Sequence, residues 1–186
     1  SSNKFFKKAS KIVPLASQTF SKSFQQYSKG VAPLFVDSGK GAVVKDIDGN
    51  EYIDYVMGLL PIVLGYCDPD VDNQIIKQIN KGITFSLATK LEYELSKKLI
   101  RLIPSAEMVR FGKNGSDATS AAIRLARAYT KRDKIAVAGY HGWHDWYIGS
   151  TTRDLGVPKS VKELTYKFSL NNLNLLKEKL NTKEFS

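Results

Sequence analysis

Short apolar segments alternate with longer amphipathic segments through the second half of the chain, and this alternation most restricts the possible folds. The spacing predicts helices at Asp68–Gly82, Thr89–Leu102, Asp117–Thr130 and Asn172–Leu180, and strands at Met108–Phe111, Lys134–Gly139 and Leu164–Phe168. Strands that alternate with helices favour a parallel sheet covered by helices. The sequence therefore predicts an α/β fold that contains the start of a mainly parallel, helix-covered sheet.

The first 58 residues have a different pattern and are expected to form a small separate part. Apolar residues at helical spacing predict a short helix at Asn3–Ile12, followed by an extended loop at Leu15–Pro33. Strand formers around Asp48-Gly49-Asn50 predict a β-hairpin over Ala42–Tyr55. The glycine- and proline-containing apolar segment Met57–Tyr66 is expected to be a buried loop. We therefore expect a small arm-and-hairpin domain at 1–58 and an incomplete larger domain at 59–186.

Composition excludes several classes of protein. Apolar residues make up 42% of the 186 residues, which excludes a wholly disordered chain. No apolar run approaches the 18 residues that a membrane-spanning helix needs. The single cysteine, Cys67, excludes an internal disulfide and multi-cysteine metal sites, and it favours a reducing, cytoplasmic compartment.

Basic residues are concentrated near the start of the chain. The formal net charge is +10, and residues 1–30 contain six lysines and no acidic residue. Such an arm is compatible with binding to nucleic acid or to an anionic membrane surface. A solvated lysine-rich helix face explains the same pattern, and it is the preferred interpretation because no arginine cluster accompanies the lysines.

The segment Phe111–Ala118 is typical of an anion-binding turn. A predicted strand ends there, glycines follow, and a helix begins. Free amides and the dipole at a helix N-terminus attract an anion, and Gly115 allows a phosphate to approach the backbone. The hydroxyl of Ser116 adds a donor. The alternative is an ordinary helix cap made by Ser116 or Asp117.

Both histidines and both tryptophans of the chain lie in Tyr140–Trp146, at the end of another predicted strand. An aromatic side chain in this position can stack on a flat heteroaromatic ligand. Two alternatives remain at this point. One is a structural aromatic cluster, and the other is a metal site formed by His141, His144 and Asp145, for which no further ligand is evident.

Taken together, these motifs resemble the class III aminotransferases, in particular the branch that contains glutamate-1-semialdehyde aminomutase. Four sequence blocks carry the resemblance in the same order along the chain, and it extends over roughly residues 3–180. They are Val43–Tyr55, Leu64–Val71, Glu107–Ala128 and Lys134–Gly142.

The resemblance implies the N-terminal part of a fold-type I transferase that binds pyridoxal 5′-phosphate (PLP). Asn114, Gly115 and Ser116 match the family's phosphate-binding turn, Tyr140 would stack on the pyridine ring, and His141 would lie close to it. The family's Schiff-base lysine and its aspartate at the pyridine nitrogen are expected further along the chain. We therefore expect this segment alone to be inactive.

The same resemblance implies a small-molecule amino donor, an oxo acceptor and a homodimer, without nucleic acid or membrane partners. The expected activity is transfer of an amino group to, or within, an oxo substrate. The family's aminomutases carry a substrate-binding arginine in the region matching Ser21–Pro33, where this chain has only Lys22 and Lys29. Because a lysine lacks the bidentate fork of arginine, a keto-sugar or another oxo compound is as compatible as glutamate-1-semialdehyde.

Two alternative functions are also compatible with this sequence. One is a non-catalytic remnant of this fold that binds a phosphorylated ligand or a partner subunit. The other is a basic module that binds an anionic polymer through its N-terminal lysines.

Overall fold

A computed structural model of the chain describes residues 1–28 and 30–185. The chain forms two compact units, Ser1–Ala88 and Thr89–Ser186. The expected division into 1–58 and 59–186 concerns the two domains of the complete protein, and it stays a prediction. Lys29, which was expected to belong to the basic arm and to the substrate loop, lies outside the described residues.

The first unit contains a three-stranded antiparallel meander between two helices. The strands lie side by side in chain order. The elements are α1 (Ser2–Ala9), β1 (Val36–Lys40), β2 (Val43–Asp46), β3 (Glu51–Ile53) and α2 (Pro69–Ile79). The predicted hairpin is confirmed as β2 and β3, and β1 adds a strand that the sequence pattern did not indicate. Two short 3-10 turns, Pro14–Ala16 and Phe20–Lys22, overlap the predicted loop at Leu15–Pro33.

Two aspartates fix the ends of elements in this unit. Asp68 caps α2 at the start of the predicted helix by accepting hydrogen bonds from the amides of Asp70 and Val71, with Pro69 in the first helical position. Asp46 closes the hairpin turn by accepting from the amides of Asp48 and Asn50 at 2.9 and 2.8 Å. Hydrogen bonding to Asn50, chiefly through its side chain, lowers the pKa of the Asp46 carboxyl.

The expectation that Met57–Tyr66 is a buried loop is wrong in one respect. The segment is irregular, but its apolar side chains are largely exposed, with Leu60 69% and Val63 73% accessible. Met57, Leu59 and Leu60 adopt positive φ values, so the chain curls on itself and packs little of its apolar surface. Its end is anchored by the hydroxyl of Tyr66, which donates to the Asp54 carboxylate at 2.6 Å and lowers the pKa of that carboxyl.

The second unit is built around a parallel pair of strands. Its elements are α3 (Lys90–Leu102), α4 (Gly115–Thr130), β4 (Ile135–Val137), α5 (Asp145–Ile148), α6 (Lys159–Lys162), β5 (Thr165–Lys167) and α7 (Leu173–Asn181). Strand β4 pairs in parallel with β5, with Ile135 opposite Thr165, and two short helices lie in the connection. The expected α/β arrangement with the start of a parallel sheet is therefore confirmed.

The core of this unit lies around β4. The buried side chains of Ile135, Val137 and Tyr147 form a cluster, and Ile123 of α4 and Trp146 pack against it. Helix α4 is thereby held beside the strand whose carboxyl end leads into Tyr140–Trp146, the aromatic segment. This packing brings the two sequence motifs close together.

The predicted strand at Met108–Phe111 is not formed. These residues have no regular secondary structure, and Met108 is 90% exposed. A strand needs a hydrogen-bonding neighbour, and no described strand pairs with this segment. Helix α4 also begins at Gly115, two residues before the predicted start.

Candidate functional site

The N-terminus of α4 is capped by Asn114. The Oδ1 atom of Asn114 accepts a hydrogen bond from the Asp117 amide at 3.0 Å, and the Asn114 carbonyl accepts from the Ala118 amide at 3.2 Å. The alternative that Ser116 or Asp117 forms the cap is therefore wrong. Both of these bonds are donated by residues that follow the first two helical positions. The N–H groups of Gly115 and Ser116 therefore remain available to an external acceptor.

The first turn of α4 is open on the side of Gly115 and closed on the side of Ser116. A Cβ atom built on Gly115 would meet no atom within 4 Å. Ser116 is buried, and its Oγ accepts a hydrogen bond from the Trp143 amide at 3.3 Å. This accepted bond leaves the Ser116 hydroxyl proton for another acceptor.

Gly142 permits this contact between the helix and the aromatic segment. Its φ is +106°, and a Cβ atom placed there would lie 2.3 Å from the Ser116 Oγ. No side chain fits at that distance. Glycine at position 142 is therefore required for the close approach of the two backbones.

The two sequence motifs line a single cleft of about 400 Å³. It is open to solvent on one side and has the start of α4 on the other. The cleft is lined by Asn114, Gly115, Ser116, Thr119, Tyr140, His141, Gly142 and Trp143. All five residues predicted to bind the cofactor are among them, so the structure places them together.

Tyr140 presents a largely free aromatic ring at this cleft. Its side chain is 77% exposed, although its ring lies edge-to-face against Tyr147 at a centroid distance of 5.7 Å. Tyr147 is 3% exposed, and its hydroxyl donates to the Gly139 carbonyl at 2.7 Å. A fixed, buried ring therefore supports an accessible one, which suits stacking on a flat ligand.

His141 is held from two directions. Its Nε2 atom lies 2.6 Å from the Ala138 carbonyl oxygen, which requires a proton on that nitrogen. Its own carbonyl accepts a hydrogen bond from the Thr119 hydroxyl at 2.9 Å. The Nε2 atom is thus used within the fold, and the imidazole contributes to the cleft through the rest of the ring.

The metal alternative gains no support from this geometry. His144 uses its Nδ1 atom in a hydrogen bond to Ser120 at 2.7 Å, and His141 uses its Nε2 as described above. Within residues 1–28 and 30–185, no three His, Cys, Asp or Glu side chains come together as a metal site would require.

Three cleft residues were not singled out by the sequence analysis as site residues: Thr119, Gly142 and Trp143. Thr119 follows Ser116 by three positions on the same helix, so helical spacing could have indicated it. Gly142 and Trp143 directly follow Tyr140 and His141, the two residues of this segment that the sequence predicts to bind the cofactor. Their importance depends on backbone geometry at Ser116, which the sequence does not reveal.

The part of the chain that the structure describes contains no helix with the length and apolarity needed to cross a membrane.

Comparison with known proteins identifies the family. The family model for class-III aminotransferases matches residues 24–185, which is most of the chain. The chain belongs to the class-III aminotransferases. The resemblance inferred from the four sequence blocks is thereby confirmed.

Relatives of this aminotransferase chain include two kinds of enzyme. It is 44% identical over 173 residues to a 3-aminobutyryl-CoA aminotransferase of Cloacimonas acidaminovorans, covering 92% of this chain and 41% of the relative. It is 45% identical over 164 residues to a glutamate-1-semialdehyde 2,1-aminomutase of Listeria monocytogenes, covering 86% of this chain and 38% of the relative. The chain therefore spans about 40% of the length of these relatives.

A solved structure of a transaminase with PLP bound has the same fold. It is 28% identical and superposes with a TM-score of 0.83, over 95% of this chain and 44% of that structure. The family and this neighbour indicate pyridoxal phosphate as the cofactor. The fold-type I expectation is confirmed for the segment described.

Proposed function

We propose that the complete protein is a PLP-dependent aminotransferase or aminomutase, and that this segment supplies the phosphate cradle and one face of the cofactor site. One observation carries the proposal. The free amides at the start of α4 and the exposed ring of Tyr140 line the same cleft. A phosphorylated heteroaromatic ligand needs both of these features at one place.

The start of α4 fits a phosphate group. The N–H groups of Gly115 and Ser116 point out of the first helical turn, where the helix dipole favours negative charge. The open space beside Gly115 gives an anion room to approach, and the Ser116 hydroxyl retains a proton to donate. Asn114 contributes indirectly, because its side-chain oxygen is used as the helix cap.

The aromatic segment fits the ring of the cofactor. Tyr140 is exposed, and its ring packs edge-to-face against that of the buried Tyr147. His141 is fixed by the Ala138 carbonyl and by Thr119, so it forms a stable part of the cleft wall. When bound, PLP supplies an electron sink for the carbon next to the reacting nitrogen. The residues described here hold its phosphate and the plane of its ring.

The reaction we propose moves an amino group between a small-molecule donor and an oxo acceptor, or within one molecule. The two relatives named above are a transferase and a mutase, so both outcomes are compatible with this segment. Lys22, at the end of a short 3-10 turn, is exposed and supplies only a point charge in the region where the family's aminomutases carry an arginine. We therefore include oxo compounds other than glutamate-1-semialdehyde among the candidate substrates.

We further propose that the complete protein is a cytoplasmic homodimer without nucleic acid or membrane partners. The dimer follows from the family resemblance, and the single cysteine supports a reducing compartment. Light scattering of the purified complete protein measures its mass directly. A monomer at working concentrations would contradict the dimer.

The test of the proposed function uses the protein as encoded by its gene. With PLP we expect a visible absorption band that disappears on borohydride reduction, because reduction fixes the cofactor to its lysine. Amino transfer is then assayed with 3-aminobutyryl-CoA and with glutamate-1-semialdehyde as separate substrates. A folded protein that stays colourless with excess PLP would contradict the proposal. A coloured protein without transfer to any oxo acceptor would favour the non-catalytic alternative.

A further inference from the structure

A hydrogen-bonded bridge joins α4 to the aromatic segment through residues that do not line the cleft. Ser120 follows Ser116 by four positions, and its Oγ accepts a hydrogen bond from Trp146 Nε1 at 2.9 Å. The same Oγ lies 2.7 Å from His144 Nδ1. Three side chains from two parts of the second unit therefore meet at one hydroxyl group.

The donors and acceptors in this bridge follow from the chemistry of its members. The indole N–H is only a donor, so the Ser120 oxygen accepts from Trp146. The Ser120 Oγ also hydrogen-bonds to His144 Nδ1, and either of these two groups can be the donor. Both of these side-chain contacts of Ser120 therefore hold the aromatic segment.

The bridge bears on the cleft through the residues between its attachment points. Ser120, His144 and Trp146 do not line the cleft, but Tyr140 and Trp143 do. The ring of His144 lies edge-to-face with that of Trp143 at 5.1 Å. Fixing His144 therefore restricts Trp143, whose amide contacts Ser116 at the start of the helix.

We propose that Ser120 is a positioning residue for the cofactor: it holds the Tyr140–Trp146 segment against α4 by binding His144 and Trp146 together. The proposal rests on the proposed PLP-dependent function. It predicts that loss of the Ser120 hydroxyl makes the aromatic segment more mobile while the amides of Gly115 and Ser116 stay in place.

The experiment compares Ser120→Ala, Ser120→Thr and Thr130→Ala in the complete protein. Ser120→Ala leaves two partly buried side chains, His144 and Trp146, without their hydrogen bonds to Ser120, so PLP affinity should fall about tenfold. Ser120→Thr keeps the hydroxyl and should stay within about threefold of wild type. Thr130→Ala is the matched control, because it removes a hydroxyl that bonds to the Ala126 carbonyl at the far end of the same helix.

A second readout separates positioning from general stability. The circular dichroism of bound PLP, measured at saturation, reports the orientation of the cofactor ring in its chiral site. We expect it to change in Ser120→Ala and in His144→Ala, and to be unchanged in Thr130→Ala. The double variant of Ser120 and His144 should lose less affinity than the sum of the two single losses, because both changes break the bond between Ser120 and His144.

The outcomes distinguish the two proposals. Wild-type protein that binds no PLP would overturn both the proposed function and the positioning role. Wild-type binding combined with unchanged affinity and dichroism in Ser120→Ala overturns the positioning role alone. If Ser120→Ala does not fold, His144→Ala decides the matter, since it leaves the bond between Ser120 and Trp146 intact.

Discussion

Substitution of Gly142 by alanine tests the contact between α4 and the aromatic segment. An added Cβ would lie 2.3 Å from Ser116 Oγ and 3.0 Å from Ser116 Cβ, so the two backbones must separate. Gly139 offers a matched control. Its φ of +83° is also positive, but an added Cβ would meet no atom within 4 Å.

Both variants are destabilised by the positive φ of the substituted residue, and only Gly142→Ala is also destabilised by steric overlap. Alanine at either position is held in a left-handed conformation, which costs about 1–2 kcal/mol. At position 142 the overlap with Ser116 adds about 1–3 kcal/mol, the range found for overpacked sites. If the aromatic segment relieves that overlap by moving away from α4, Gly142→Ala should lower PLP affinity about 5- to 150-fold more than Gly139→Ala does.

The assay is a titration of each complete variant with PLP, followed by visible absorption, together with the melting temperature without cofactor. We expect both variants to melt below wild type and only Gly142→Ala to show the large loss of affinity. Equal PLP affinities in the two variants would refute the reasoning, because the proximity of Gly142 to Ser116 would then have no role in the site.

Three further predictions address single groups. Asn114→Asp retains a side chain that caps the helix but places a negative charge beside the proposed phosphate site, so melting temperature should change little while PLP affinity falls at least about tenfold. Tyr140→Phe should bind PLP within about threefold of wild type, whereas Tyr140→Ala should lose about 2- to 10-fold through loss of stacking; calorimetric titration measures both. The pKa of Asp46 is lowered by its hydrogen bonds to Asn50, so the stability it contributes is fully present above its unfolded pKa of about 4 and is lost as pH falls through the lower folded value. Asp46→Asn should therefore flatten the acid side of a plot of melting temperature against pH, and an unchanged acid limb would contradict this.

Local signals in the sequence correctly predicted the elements whose ends depend on nearby residues. Asp68 with Pro69 predicts the start of α2, and the structure shows the expected cap. Thr89 and Glu92 predict the start of α3, where the Thr89 amide donates to the Glu92 carboxylate at 3.0 Å. In each case the determining hydrogen bond spans at most three residues, so a single sequence contains the information.

Features that depend on distant partners were predicted less well. Met108–Phe111 has the composition of a strand, but no described strand pairs with it. The apolar loop at Met57–Tyr66 was expected to be buried, yet apolar character does not show what packs against a segment. Strand β1 contains Asp37, Ser38 and Gly39, and its pairing with β2 overrides a weak strand propensity.

The candidate site was predicted in its components and not in its internal contacts. The glycine turn before a helix and the aromatic residues after a strand were both evident, and the structure brings them to one cleft. The alternative of a cap by Ser116 or Asp117 is wrong, because Asn114 takes that role instead. The bridge joins Ser120 to His144 and Trp146, which follow it by 24 and 26 residues in the sequence. Sequence spacing alone could not indicate these contacts.

The central claim is that the start of α4 holds the phosphate of PLP while Tyr140 lies against its ring. A crystal structure of the complete protein with PLP tests this claim most directly. We predict phosphate oxygens within hydrogen-bonding distance of the Gly115 and Ser116 amides, and the pyridine ring parallel to that of Tyr140. A cofactor phosphate bound away from these amides, or a ring on the opposite side of the sheet, would contradict the account.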